Sequence, residues 1–176
     1  MQDKNKLIEG SLVALRLMTE DDTDLIIKWR NNERVRASFI YREHFTRQIH
    51  ENWIKTHIET GRAVQFIILE KKNGYRPVGS VYFRDIDNDK KTAEYGIFIG
   101  EDDAIGLGYG NETARLATSY AKDEMGLKTL ILRAFSKNIP AIKSYEKAGF
   151  VKTKDLKAVE CSDGFKGDMI MMENTL

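Results

Sequence analysis

Along the chain the spacing of apolar and polar positions changes several times, and each change marks an element. In SLVALRL, Val13, Leu15 and Leu17 occupy alternate positions, the period of a strand with one buried face. TEDDTDLIIKWRN follows. Thr19 with Asp22 three residues on resembles a capping box, and acids crowd the first turn, so this segment is a first helix. Thr46 is placed to cap a second, RQIHENWIKTHIET, whose Ile49, Trp53, Ile54, His57 and Ile58 fall near one face and which Gly61 can end. The period then shortens. AVQFIILE, VGSVYFRDI and AEYGIFIG read as three strands, with a hairpin signal at Asn73-Gly74 and a turn at NDK. A helix from about Asn111 to Met125 comes next, with Ala114, Ala117, Ala121 and Met125 as its small apolar stripe and Gly126 as terminator. TLILRAF is a strand. Pro140 opens a short helix that Gly149 closes. FVKTKDL and DMIMME are two last strands, joined by a loop over AVECSDGFKG. The order predicts an α+β fold: a mixed, mostly antiparallel sheet of about seven strands flanked by about four helices.

Composition narrows the function classes. The 176 residues suit one domain over 1–176, and 41% hydrophobic with 31% charged residues is ordinary for a globular chain. A net charge of +1 argues against a general nucleic-acid surface. Cys161 is the only cysteine, so no internal disulfide is possible. The start lacks the apolar run of a signal peptide, and no stretch approaches the ~18 residues of a membrane span. A cytoplasmic protein without a membrane partner is expected.

The stretch AIGLGYG, residues 104–110, stands just before the third helix. A dinucleotide fingerprint would be G-x-G-x-x-G, but Asn111 occupies the last glycine's place; a P-loop would need Gly-Lys-Ser/Thr. What remains is physical. Glycines allow positive φ and close backbone approach, and a helix start offers unpaired N–H groups, so the two together make an anion site. A merely glycine-rich connection is the alternative.

The surrounding segment resembles the GNAT superfamily of N-acetyltransferases. That family's acetyl-CoA loop, Gln/Arg-x-x-Gly-x-Gly/Ala, aligns with Ile105, Gly106, Leu107, Gly108, Tyr109 and Gly110. Its Asn-x-x-Ala…Tyr-x-x-x-Gly-Phe block aligns with Asn138, Ala141, Tyr145, Gly149 and Phe150. The match covers about residues 90–152. One departure is Ile105, where the family has Arg or Gln.

The resemblance implies the GNAT fold, acetyl-CoA as co-substrate, and transfer to a primary amine. It implies a pantetheine arm lying along the backbone of Ile97, Phe98 and Ile99 like an added strand. The pyrophosphate would sit on amides from about Ile105 to Asn111, and Asn138 could hydrogen-bond the arm. Tyr145 is the candidate acid for the departing thiolate; a packed aromatic is its alternative. Glu94 is the candidate base. A carboxylate in so apolar a run is expected to be partly desolvated, and a solvated or salt-bridged strand residue is the alternative. WRNNERVRASFIYREHFTRQIHENW resembles branches acting on nucleotide-linked amino sugars and on ribosomal-protein N-termini. There Arg30, Asn31 and Arg36, with Arg34 and Arg42, are candidates to receive an acidic or phosphorylated acceptor, beside Glu94. Trp29 and Trp53 are expected in the core. His44, His50 and His57 lack accompanying ligands, so no metal is expected. Cys161 has no patterned histidine partner, which favours direct transfer over a covalent enzyme intermediate. The acceptor, a small-molecule amine such as an amino sugar nucleotide or polyamine, or a protein N-terminus, stays open, as does a homodimer. A non-catalytic coenzyme A sensor is the competing function.

Overall fold

A computed structural model describes residues 6–176. Its strands are β1 (Ile8–Glu9), β2 (Val13–Leu17), β3 (Val64–Glu70), β4 (Arg76–Asp87), β5 (Thr92–Ile99), β6 (Thr129–Phe135), β7 (Val151–Glu160) and β8 (Lys166–Thr175). Its helices are α1 (Thr23–Asn31), α2 (Glu33–Arg36), α3 (Arg47–Trp53), α4 (Tyr109–Asp123) and α5 (Ile139–Lys147). The strands form one sheet in the order β1-β2-β3-β4-β5-β6-β8-β7. Every neighbouring pair is antiparallel except β5 with β6.

Helices cover both faces of this sheet. Ala114, Ala117 and Ala121 of α4 pack with Leu15, Phe66, Ile68 and Phe83 on one side. On the other, Ile26 and Trp29 of α1 and Val35 of α2 pack with Ile67, Leu69 and Phe98. Successive residues of β3 therefore both face apolar surroundings, which is why AVQFIILE is a nearly unbroken apolar run rather than an alternating one. Ala14 is as buried as Val13 and Leu15 for the same reason. The alanine stripe keeps side chains short where α4 lies on the sheet.

Several boundaries differ from expectation. The eighth strand is β1, two residues paired to β2 and too short to show a period. The fifth helix is α2, a single turn capped by Asn32, whose side chain accepts from the amides of Arg34 and Val35. Thr19 and Asp22 do mark a helical start: the Thr19 amide donates to Asp22 Oδ2 at 2.8 Å. They cap a 3-10 turn over Glu20–Asp22 from which α1 continues. Thr46 caps α3, accepting from the Ile49 amide, and α3 widens into a π turn over Ile54–Ile58. The last loop is shorter than expected, since β7 and β8 pair as far as Glu160↔Lys166. Ala158, at φ 49°, marks the register shift that lets the ladder continue across AVE.

Two buried carboxylates fix the start of α4. Glu112 accepts from the amides of Ser11, Leu12 and Val13 at 2.7–2.9 Å. Burial alone would raise its pKa, but those three donors leave it below the usual carboxylate range. Glu70 is fully buried and holds Arg76, Asn73 and the Tyr109 hydroxyl, the last at 3.0 Å. Burial again opposes its charge, and Arg76 first among its partners overcomes that opposition.

Candidate active site

The parallel pair of strands is brief. Its register runs Thr92↔Thr129, Ala93↔Leu130, Glu94↔Ile131 and stops. Beyond it β5 continues with Tyr95–Ile99 and β6 with Leu132–Phe135, each still paired only to its outer neighbour. A cleft of about 710 Å³ passes through this divergence. One half is walled by residues of the glycine loop, the start of α4, Asn138 and α5. The other is walled by α1, the connection after α2, α3, Tyr82, Arg84 and Glu94.

The glycine-loop half carries the geometry the sequence suggested, with changes in which residues matter. Gly106 and Gly108 have φ of 75° and 82°, a left-handed conformation that disfavours side chains. Gly110 lies inside α4, and a Cβ there would meet only Ser144 Oγ at 3.9 Å. The backbone thus depends on Gly106 more than the family pattern implied, and less on Gly110. Helix geometry leaves the amides of Tyr109, Gly110 and Asn111 without carbonyl acceptors, and all three residues line the cleft. Ile105 is 46% exposed in the same wall. Leu107 is not among the lining residues. The Tyr109 side chain is buried on Glu70, so only its backbone is free to serve a ligand. Phe98 likewise turns its ring to Trp29 and Phe39, while Gly96–Ile99 line the cleft. Asn138 caps α5, accepting from the Ala141 amide at 3.4 Å, and both residues line the cleft.

Tyr145 projects from α5 into the same space, edge-on to Tyr95 and Phe150 with centroids 6.1 Å away. Burial raises its pKa, and neighbouring Tyr82 adds to the effect, so its hydroxyl keeps its proton at neutral pH. Tyr95, which the sequence reading passed over, lies beside it. The Tyr95 hydroxyl is buried without a hydrogen-bond partner among the described residues, and burial raises its pKa further still.

Glu94 takes its alternative form, that of a salt-bridged strand residue. Its side chain is 24% exposed and ion-paired to Arg84 at 2.7 Å and Arg133 at 3.1 Å. Arg84 stands opposite Glu94 in the register, and Arg133 lies two residues beyond its β6 partner, on the same face. The sequence reading missed both arginines. The signal available was a lone charge in each of β5 and β6, Glu94 and Arg133, with Arg84 near the end of the apolar run of β4.

The acceptor-side residues separate. Arg30 lines the cleft, its guanidinium 3.5 Å from the Phe39 ring centroid. Asn31 does not: its side chain exchanges two 2.8 Å hydrogen bonds with the Phe45 backbone, holding the connection to α3. Arg36 is also outside the lining. Arg34 pairs with Asp102 at 2.8 Å and donates to the Ile99 carbonyl. Arg42 donates to the Phe39 and Ala37 carbonyls and stacks over Phe165. Trp29 is core as expected. Trp53 instead lines the cleft, stacked on His57 and donating to Gln65. His50 is 1% exposed, with Nδ1 on the Thr23 hydroxyl and Nε2 unpartnered among the described residues. Burial, then Arg47, lowers its pKa to about 4. Cys161 is buried in the β7–β8 turn.

A sheet split by one short parallel seam, with a glycine loop and helix start at the split, defines an acetyl-transfer fold, and sequence comparison agrees. Residues 13–151 match the family described as the acetyltransferase (GNAT) domain. The chain belongs to that family. It is 32% identical over 150 residues to the uncharacterized protein MJ1062 of Methanocaldococcus jannaschii, spanning 85% of this chain but only 30% of that relative's length. Among solved structures it is similar to the Vibrio cholerae spermidine N-acetyltransferase in complex with CoA and spermine, with TM-score 0.85, 22% identity, and 94% and 96% of the two chains covered. A dodecameric form of the V. cholerae enzyme superposes with TM-score 0.79 at 21% identity, covering 94% and 95%. Among the described residues no helix is long and apolar enough to cross a membrane.

Proposed function

We propose that the protein transfers the acetyl group of acetyl-CoA directly to a primary amine within a ternary complex. The observation that carries this reading is the cleft itself: it passes between diverging β5 and β6 from a glycine-rich helix start to a polar chamber. In this reading the amides from Gly106 to Asn111 take the pyrophosphate. The pantetheine arm pairs with Gly96–Ile99, where β5 has no partner on its β6 side, and the Asn138 side-chain amide steadies it.

The amine lone pair attacks the thioester carbonyl carbon. A C–N bond forms, the C–S bond breaks, and the thiolate takes the Tyr145 hydroxyl proton. The proton surplus on nitrogen passes through water to Glu94, whose Oε2, among the described residues, accepts only from Arg133, at 3.4 Å. The arginines around the chamber assist, because nearby positive charge disfavours an ammonium and frees the lone pair. The V. cholerae enzyme, solved as a dodecamer, motivates self-association here, from a homodimer upward; light scattering checks it.

A non-catalytic coenzyme A sensor is the second reading. Ile105, which supplies no charge to a pyrophosphate, and the ion-paired state of Glu94 favour it. Thiol release from acetyl-CoA across a panel of primary amines separates the two: amine-dependent release is expected, and tight coenzyme A binding without release to any amine means a sensor.

A further inference from the structure

The acceptor half of the cleft holds more positive charge than acetyl transfer needs. Arg30, Arg34, Arg84 and Arg133 line the cleft, and Glu94 is the one carboxylate among its lining residues. Arg34 is neutralised from outside by Asp102. Arg84 and Arg133 share Glu94. Arg30 has no ion-pair or hydrogen-bond partner among the described residues. Its guanidinium lies between the Phe39 and Phe45 rings, 3.5 and 4.7 Å from their centroids, and Nε is buried and unpartnered.

Aromatic faces return only part of what a cation loses on leaving water. A half-buried guanidinium whose Nε is shut away from water with no carboxylate beside it is unfavourable unless a ligand completes it. Desolvation lowers its pKa to about 10, with Tyr82 and Tyr41 opposing the fall, so the charge persists at neutral pH. Nothing in its surroundings makes Arg30 part of a structural ion pair. A polycationic acceptor would meet like charge on this wall.

We propose that the acceptor is an amine that also carries an anionic group, a carboxylate or a phosphoryl, and that Arg30 is the residue that receives the anion. The guanidinium fork suits either group. This rests on the acetyl-transfer reading for the amine, but not for the anion.

The test has a kinetic and a binding arm. Acetyl transfer is measured with β-alanine, glucosamine 6-phosphate, glucosamine and spermidine. One of the two anionic amines is expected to exceed glucosamine and spermidine in kcat/KM, and which one tells carboxylate from phosphoryl. Arg30→Met should reduce that kcat/KM by roughly 10- to 10²-fold, mainly through KM, and shrink the ratio to glucosamine toward one. Spermidine or glucosamine as the best acceptor overturns the proposal, as does equal loss on anionic and neutral amines. The binding arm needs no turnover. With coenzyme A saturating and ionic strength matched, phosphate or acetate should raise the Tm of the wild type more than that of Arg30→Met. If no amine is acetylated, the transfer reading fails and the Tm shifts alone decide: equal shifts in both proteins remove the anion site.

Discussion

Tyr145 combines a place in the lining of the cleft with surroundings that keep its proton in place, two properties an acid for a departing thiolate requires. Tyr145→Phe is expected to lower kcat by about 10- to 10³-fold with little change in acetyl-CoA binding. Tyr95→Phe is the control, because Tyr95 supplies the neighbouring orphan hydroxyl; if it alone depresses turnover, the acid is Tyr95. Ile105 makes the opposite kind of case. It is exposed at the loop wall, at the position where the resembled loop pattern has Arg or Gln, so Ile105→Arg has room to reach a phosphate. Roughly fivefold tighter acetyl-CoA binding is expected, as for one partly exposed ion pair, and titration of the variant with acetyl-CoA checks it; lost binding means that the phosphate lies elsewhere. At this scale the sequence was informative about Tyr145 and the loop, whose motifs are local. It did not choose between a desolvated and a salt-bridged Glu94, because the two arginines that pair with it come from other strands and only the register brings them together.

Secondary-structure elements followed from pattern wherever they were long enough to repeat. The alanine stripe of α4, the caps at Thr19 and Thr46 and the hairpin strands β3 and β4 all appeared where their spacing put them. The two-residue β1 and the one-turn α2 did not, since neither completes a period. Nor could spacing show that the seam between β5 and β6 ends after Glu94, which depends on how two distant segments twist apart. Within the loop, conformation and contact now separate. Gly108→Ala should cost about 1–2 kcal/mol of stability, because its φ of 82° disfavours a Cβ. Gly110→Ala should leave Tm unchanged or higher, yet weaken coenzyme A binding if a phosphate closes on that amide. Thermal melts and coenzyme titration of the two variants check the pair. Strong destabilisation by Gly110→Ala contradicts this division of roles.

For the whole molecule, charge burial sets the response to acid. His50 is held neutral, with Thr23 on one nitrogen and Asp22, Arg30 and Arg47 as the nearby charges. Its folded pKa of about 4 is below the unfolded 6.5, so the unfolded chain binds the extra proton first. Stability present above pH 6.5 is therefore lost as pH falls toward 4, by about 3 kcal/mol. Denaturant melts across that window measure it, and His50→Gln should flatten the slope. Glu70, Glu112 and Asp22, all held below the usual carboxylate range, add a second loss at lower pH.

The seam also bears on how long the protein persists. A sheet joined at its middle by three register pairs leaves a row of backbone groups to be satisfied from outside the chain. A co-substrate that pairs with them binds the folded state alone, and at a hundred times its Kd adds about 2.7 kcal/mol to folding. Resistance to proteolysis should then rise with coenzyme A concentration, measured as digestion half-life at graded coenzyme levels. On the acetyl-transfer reading, a shortage of the coenzyme would shorten the life of the protein, so its abundance would follow that supply.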